Sequence, residues 1–381
     1  LKKNKGSWRG QRNIALNKHM GEGLRFRNKM AYDLIKEINQ MMGLRTQFVH
    51  LYVKDLTDSD TGAFVDYGLY TQVEQLNKTA LKAHGLDSTG QLYKINSFEF
   101  HRNEDIIRLT TDPAYDQTAF EQLMEIKGNS DHSKLIEMLD VLNDESSSMD
   151  EEVFARYFDP ENIAYWLAFQ LLTGNTDTQS RNVYLYLHGK NGCKEWDNDG
   201  MLRRKEREII QFSDSESWER GVSNYWGNVL FRRCLQTESF RQLLDTAMDE
   251  LYAYMNQDRI ESMLAHYRSV TEEYVWRMPY RLYVPITHEQ YEEVLESIWP
   301  EIDEDYDYYW ESYHNPMPFY IGTPSLQNGV LQLSWDTSYD FNAEDISYTV
   351  ELARDYQFRQ MVYREEHVVL PMTQTAAPAA G

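Results

Sequence analysis

The segment Asp159 to Gly174, DPENIAYWLAFQLLTG, constrains this chain more than any other. An aspartate at the N-cap, a proline in the first helical position and a closing glycine mark both ends of a helix. Between them Ile163, Ala164, Tyr165, Trp166, Leu167, Phe169, Leu171 and Leu172 cover most of the helical circumference instead of a single stripe. A helix apolar on nearly every side has to be covered on several sides. It therefore belongs at the centre of a thick domain, and a chain of 381 residues is long enough for that and for two or three domains in all.

Composition supports a folded chain. Hydrophobic residues make up 41% and aromatics 13%, with 27 Tyr and 9 Trp, so the surface must be rich in Tyr. A formal charge of −23 argues against a general nucleic-acid binder, which needs a basic face for phosphates. No run approaches the roughly 18 apolar residues of a membrane span, and no signal peptide is visible. The chain opens at Leu1 and reads as an excised segment. Cys193 and Cys234 exclude a disulfide framework and have no metal-ligand spacing. The acidic block EIDEDYDYYWES (301–312) reads as solvated surface.

Along the chain, SWRGQRNIALNKH suggests one short strand that needs a partner sheet. Leu24, Met30, Leu34, Ile38 and Met41 have helical spacing that ends at Gly43. TQFVHLYVKD and AFVDYGLYTQV, joined by the polar LTDSDTG, predict a hairpin over 46–74. A short helix closed by Gly85 and a strand in GQLYKINSFEF follow. Residues 100–160 read as acidic and helical, with QTAFEQLMEIKG and HSKLIEMLDVLND both amphipathic, and helices continue from 229 to about 299. Past Pro318, GVLQLSWDTSYDF and DISYTVELARD alternate strictly, and PMTQTAAPAAG has the composition of a linker or tail.

The apolar helix runs into GNTDTQSRN and then the strand VYLYL. Asn, Asp, Thr and Ser favour turns by bonding their own backbone, which is the plain explanation for such a loop. The spacing suggests more. Phosphoryl transfer needs a carboxylate for the nucleophile's proton, oxygen ligands for divalent metal and a cation on the phosphates. In protein kinases the catalytic base and a metal-binding Asn stand five residues apart, as Asp177 and Asn182 do here. One strand and one turn later, WDNDG supplies Asp197 and Asp199 as further hard oxygens suited to Mg²⁺. The tripeptide His-Arg-Asn before Glu104 and Asp105 mimics a kinase catalytic loop by eye, but Thr110 stands where the Asn is required.

LRFRNKMAYDL, GLYTQVEQLN, GQLYK, LLTGNTDTQSRNVYLY and WDNDGML, in that order, resemble the spore-coat-H (CotH) kinase family over roughly residues 8–300. The resemblance implies an α+β, divergent bilobal protein-kinase-like fold over 1–315, with a mixed α/β N-lobe to about 105 and a mostly helical C-lobe after it. It implies ATP with Mg²⁺ or Mn²⁺ as cofactors, and Ser/Thr hydroxyls of extracellular or surface proteins as acceptors. Carried over, Asp177 is the catalytic base, Asn182 a metal ligand, and Asp197 the second metal ligand with Asp199 as alternative or addition. Lys94 takes the phosphate-pairing position, and Glu74 orients it or completes the metal site. Arg27 and Asn28 match the family's pattern without a derivable role. The alternating strands past Pro318 resemble part of a fibronectin type III sandwich over 319–370, with 371–381 a tail. That appendage and the family together imply a secreted or cell-surface bacterial protein, with cell-surface or polysaccharide contact and no nucleic acid or membrane span. The chain has no GxGxxG loop, no DFG and no His-Arg before Asp177. An inactive pseudokinase serving as an adhesion or scaffold module is therefore the alternative, and EDYDYYWESYH (304–314) suggests a carbohydrate-active one.

Overall fold

A computed structural model describes residues 6–11, 13–57, 62–188, 200–211 and 219–377, and the backbone of Cys193–Glu195. The chain divides into two units, Leu1–Asp307 and Tyr308–Gly381. The first is a mixed α+β body of helices around small antiparallel sheets.

It opens with β1 (Ala15–Asn17), α1 (Arg27–Ile35) and the hairpin β2 (Thr46–Val53) and β3 (Val65–Val73). Their sheet has the order β1-β3-β2. The expected hairpin forms, with Thr46 opposite Val73 and an irregularity between Leu51 and Tyr52. Gly68 faces that irregularity at φ +79°, and a Cβ there would lie 2.0 Å from the Tyr280 hydroxyl, so only glycine suits the position. Helix α1 is shorter than its apolar spacing predicts, and separate turns carry the chain from Lys36 to Gly43.

After α2 (Lys78–Ala83), β4 (Gln91–Ile95) and α3 (Gln117–Leu123), the helical pattern of QTAFEQLMEIKG breaks at β5 (Met124–Ile126). Met124, Glu125 and Ile126 pair with Ile95, Lys94 and Tyr93 of β4, so a distant strand edge overrides local periodicity. Next come α4 (Ser133–Asn143), α5 (Pro160–Leu172), β6 (Val183–Leu187) and β7 (Cys193–Glu195), giving a second sheet in the order β5-β4-β6-β7. The helices α6 (Arg204–Ile209), α7 (Val229–Gln236), α8 (Glu238–Tyr254), α9 (Gln257–Val275) and α10 (His288–Ser312) follow.

Helix α5 sits where its composition requires: every residue from Asn162 to Leu172 is buried. Asp159 accepts from the Glu161 amide, and Trp166 stacks on Phe231 at 5.2 Å with planes 6° apart. The five residues of β6 are all buried, because β4 and β7 flank it and both faces are covered. Tyr184 and Tyr186 of β6 join Tyr32, Val73, Leu81 and Leu92 in one cluster that ties α1, both sheets and α2 together. Acidic residues 301–312, expected as solvated surface, continue α10, where Ile298, Ile302 and Asp305 are buried at three- and four-residue spacing.

The second unit contains β8 (Ser325–Gln327), β9 (Val330–Ser334), β10 (Tyr348–Ala353), β11 (Met361–Val368) and β12 (Met372–Ala376). Its two sheets have the orders β12-β9-β8 and β10-β11. Trp335 meets Tyr348 edge-on at 5.2 Å, so the two aromatics of the alternating strands do face each other. The stretch from 371, expected as a tail, instead supplies β12, which pairs Met372–Ala376 with Ser334–Val330. Its Ala- and Pro-rich end masks a strand whose stabilising partner lies some forty residues earlier.

Two buried titratable groups make the first unit acid-sensitive. His132, at φ +61° before α4, lies between the Tyr93 and Tyr115 hydroxyls at 2.8 and 3.1 Å and stacks on Phe120 at 4.1 Å. Burial pushes its pKa down to about 4, so between pH 6.5 and 4 the unfolded chain takes a proton that the folded one refuses. For Glu74, burial acts upward, but hydrogen bonds from His84 and Arg45 outweigh it and bring the pKa down to about 2. Its contribution is complete above pH 4.5 and is lost as pH falls from there towards 2. Each step costs about 3 kcal/mol. Melting temperature is expected to fall in both windows, and His132→Gln to flatten the upper one; a constant Tm from pH 7 to pH 4.5 would contradict this.

Candidate functional site

The loop between α5 and β6 is built by the helix end. The amide of Gly174, at φ +55°, donates to Leu171 O and that of Asn175 to Gln170 O, the double bond pattern of a left-handed helix cap. The Asn175 carboxamide also donates to Gln170 Oε1 at 2.8 Å. Beyond this point the loop lacks ladder partners and other elements hold its carbonyls. Tyr225 Oη donates to Asn175 O (3.1 Å), Asn228 Nδ2 to Gln179 O (2.7 Å) and the Phe98 amide to Ser180 O (2.8 Å). The loop is thus pinned from β4's end and from residues 224–228 at positions that its own sequence does not reveal.

Within this frame Asp177 and Asn182 converge. Asn182 Nδ2 donates to Asp177 Oδ2 at 2.9 Å and to Asp177 O at 3.1 Å. Asn182 adopts φ +59°, a left-handed conformation that Asn tolerates better than most residues. The other carboxylate oxygen, Oδ1, is 2.9 Å from Nε of Arg181. With its amide nitrogen donating to Asp177, Asn182 keeps its carboxamide oxygen as an acceptor.

Asp197 and Asp199 lie outside the described residues, but both flanks of their segment reach this loop. Glu195 pairs with Val183, the residue after Asn182. A Cβ on Gly200 would lie 2.6 Å from Asn175 Oδ1 and 3.7 Å from Asp177 Cβ. The Leu202 amide then donates to Thr173 O at 2.8 Å.

Arg27, to which the sequence assigned no role, holds this continuation in place. Its guanidinium is fully buried, with Nε donating to Leu202 O (2.8 Å) and Nη1 to Glu206 Oε2 (2.6 Å) and Glu22 Oε1 (3.3 Å). Burial and Arg27 oppose each other at Glu206, and the cation prevails, keeping that carboxyl below its ordinary range. Asp305, behind the loop, receives Arg204 Nη1 at 2.6 Å and Arg220 Nη2 at 2.8 Å; burial nevertheless pushes its pKa up.

The remaining expected pair does not form. Glu74 is buried beneath Arg45, which donates Nε to Oε1 at 2.9 Å, and beside His84 at 2.8 Å. Among the described residues Glu125, on the neighbouring strand, lies 3.6 Å from Lys94. Lys94 does stand opposite Tyr184 on β6, two residues beyond Asn182. Another group of ligand-type side chains, Glu272, His288 and Glu292, is already bridged by Arg268, whose guanidinium binds Glu272 at 2.9 Å and Glu292 at 2.5 Å.

A family model described as CotH kinase protein matches residues 1–309. The chain belongs to the CotH kinase family. No curated protein matches it. Kinase chemistry in general draws on ATP and a divalent metal, and the CotH loop carries suitable donors. Asp177 offers a carboxylate and Asn182 a carboxamide oxygen, both hard ligands of the kind Mg²⁺ prefers, on a side chain pair fixed by its own hydrogen bond. No helix among the described residues is long and apolar enough to cross a membrane.

Proposed function

We propose that this CotH kinase transfers the γ-phosphoryl group of ATP to Ser or Thr hydroxyls of proteins, acting on surface or secreted substrates as the family's coat association suggests. The observation that carries this reading is the 2.9 Å bond between Asn182 and Asp177, which holds the carboxylate and the carboxamide proposed for these roles together at the start of a buried strand. Asp177 accepts the acceptor hydroxyl's proton as that oxygen bonds to the γ-phosphorus. The bond from that phosphorus to the β–γ bridging oxygen breaks, and its electron pair leaves on ADP. Asn182 and Asp197, with Asp199 as alternative or addition, would hold the divalent ion. When bound, that ion neutralises charge on the phosphates. Lys94 supplies a cation to the phosphates from the strand beside β6, exchanging Glu125 for the nucleotide. Glu74 is held by Arg45 and His84 beside the β1-β3-β2 sheet.

Calorimetry of the full chain with a non-hydrolysable ATP analogue tests this. Binding is expected with Mn²⁺ or Mg²⁺ and not in excess chelator. Asn182→Gly, which removes the carboxamide without straining a backbone at φ +59°, is expected to weaken metal-dependent binding at least tenfold at unchanged Tm. Binding that ignores both metal and substitution would refute the assignment.

A further inference from the structure

Arg181 is a cation at this loop that the reading above leaves without a task. It stands four residues after Asp177 and immediately before Asn182, and its side chain is 55% exposed. Nε is engaged on Asp177 Oδ1 at 2.9 Å. Among the described residues neither of its Nη groups makes a hydrogen bond, which leaves a planar fork of N–H donors available. An exposed ion pair of this kind contributes at most about 1 kcal/mol to stability. It does, however, keep the guanidinium beside one carboxylate oxygen while Asn182 Nδ2 donates to the other at 2.9 Å.

Distance decides what the unused donors can meet. A base lies about 3 Å from the hydroxyl it serves. The hydroxyl oxygen lies about 3 to 3.5 Å from the phosphorus it attacks. Oxygens of the transferring group therefore fall within about 6 to 7 Å of the Asp177 carboxylate, within reach of a guanidinium already paired with it. A planar fork of N–H donors matches phosphate oxygens bidentately, which an ammonium cannot do.

We propose that Arg181 binds the terminal phosphoryl group of the nucleotide with its Nη donors and so makes the site select a nucleoside triphosphate over a diphosphate. This rests on the kinase reading of the same loop. The charge it meets is spread over three equatorial oxygens as the phosphoryl group transfers. The chain is otherwise strongly acidic, with a formal charge of −23, so a cation beside the base offsets repulsion of the triphosphate.

The test is calorimetry on the full chain with Mg²⁺, comparing a non-hydrolysable ATP analogue with ADP for the unsubstituted protein, Arg181→Ala and Arg181→Lys. Arg181→Ala is expected to lose at least tenfold in affinity for the triphosphate and less than twofold for ADP, with Tm unchanged. Arg181→Lys should recover part of the loss. Equal loss for both nucleotides, or no loss for either, overturns the proposal, since an arginine that merely positions Asp177 would not discriminate between them. If the unsubstituted chain binds neither nucleotide, the kinase reading falls and this inference with it.

Discussion

Asp177→Asn is expected to lower the rate of γ-phosphoryl transfer about 10³- to 10⁴-fold, while nucleotide affinity changes less than tenfold and Tm stays within about 2 °C. That rate loss corresponds to about 4 to 5.5 kcal/mol of transition-state stabilisation. The substitution keeps shape and size and removes the charge that draws a proton from the acceptor hydroxyl. Structurally it removes the charge from the Asp177–Arg181 pair, whose side chains are 40% and 55% exposed, and such pairs contribute little to folding. A purely structural aspartate predicts the reverse pattern: a lower Tm, with the rate per folded molecule intact. Labelling with γ-phosphate under saturating nucleotide, alongside thermal melting, separates the two. A variant that labels a substrate within threefold of the parent rate would remove Asp177 from the chemistry.

What the sequence reveals about this protein divides along the range of the interactions involved. Helix α5 is legible because its determinants are local: Asp159, Pro160 and Gly174 punctuate it, and an apolar circumference requires burial. The pairing of Asp177 with Asn182 is legible for the same reason, since both belong to one short loop. Strands β5 and β12 are not, because each is stabilised by an edge far away in sequence and its own residues read as helix or tail. Glu74, assigned through the family resemblance, has partners that the sequence does not announce. Arg45, just before β2, and His84, after α2, hold its carboxylate. Among the loop's supports, Asn228 carries a signal of its own as the residue before an amphipathic helix, where it caps Leu230 and Phe231. Its second function, donating to Gln179 O, has no local trace.

Arg27 acts across some 175 residues of sequence, and its removal should be costly. Arg27→Met is expected to destabilise the chain by about 3 to 5 kcal/mol at pH 7, because it leaves Glu206 and Glu22 buried without the cation between them. For a unit of this size that lowers Tm by roughly 10 °C. The Glu206 carboxyl, now held below its ordinary range chiefly by Arg27 against the opposing effect of burial, should move above that range in the variant. Part of the loss should then be recovered on mild acidification, as Glu206 becomes neutral. Adding Glu206→Gln should recover about 1 to 3 kcal/mol at pH 7, since the two residues share one network and their effects cannot add independently. The consequence reaches the site: Arg27 Nε holds Leu202 O while the Leu202 amide holds Thr173 O, so the chain following Asp197 and Asp199 loses one of its anchors. Metal-dependent nucleotide binding by Arg27→Met should therefore weaken even below its melting transition. If Arg27→Met melts within 2 °C of the parent and shows no dependence on Glu206, the buried network does not position the segment that carries the two acids.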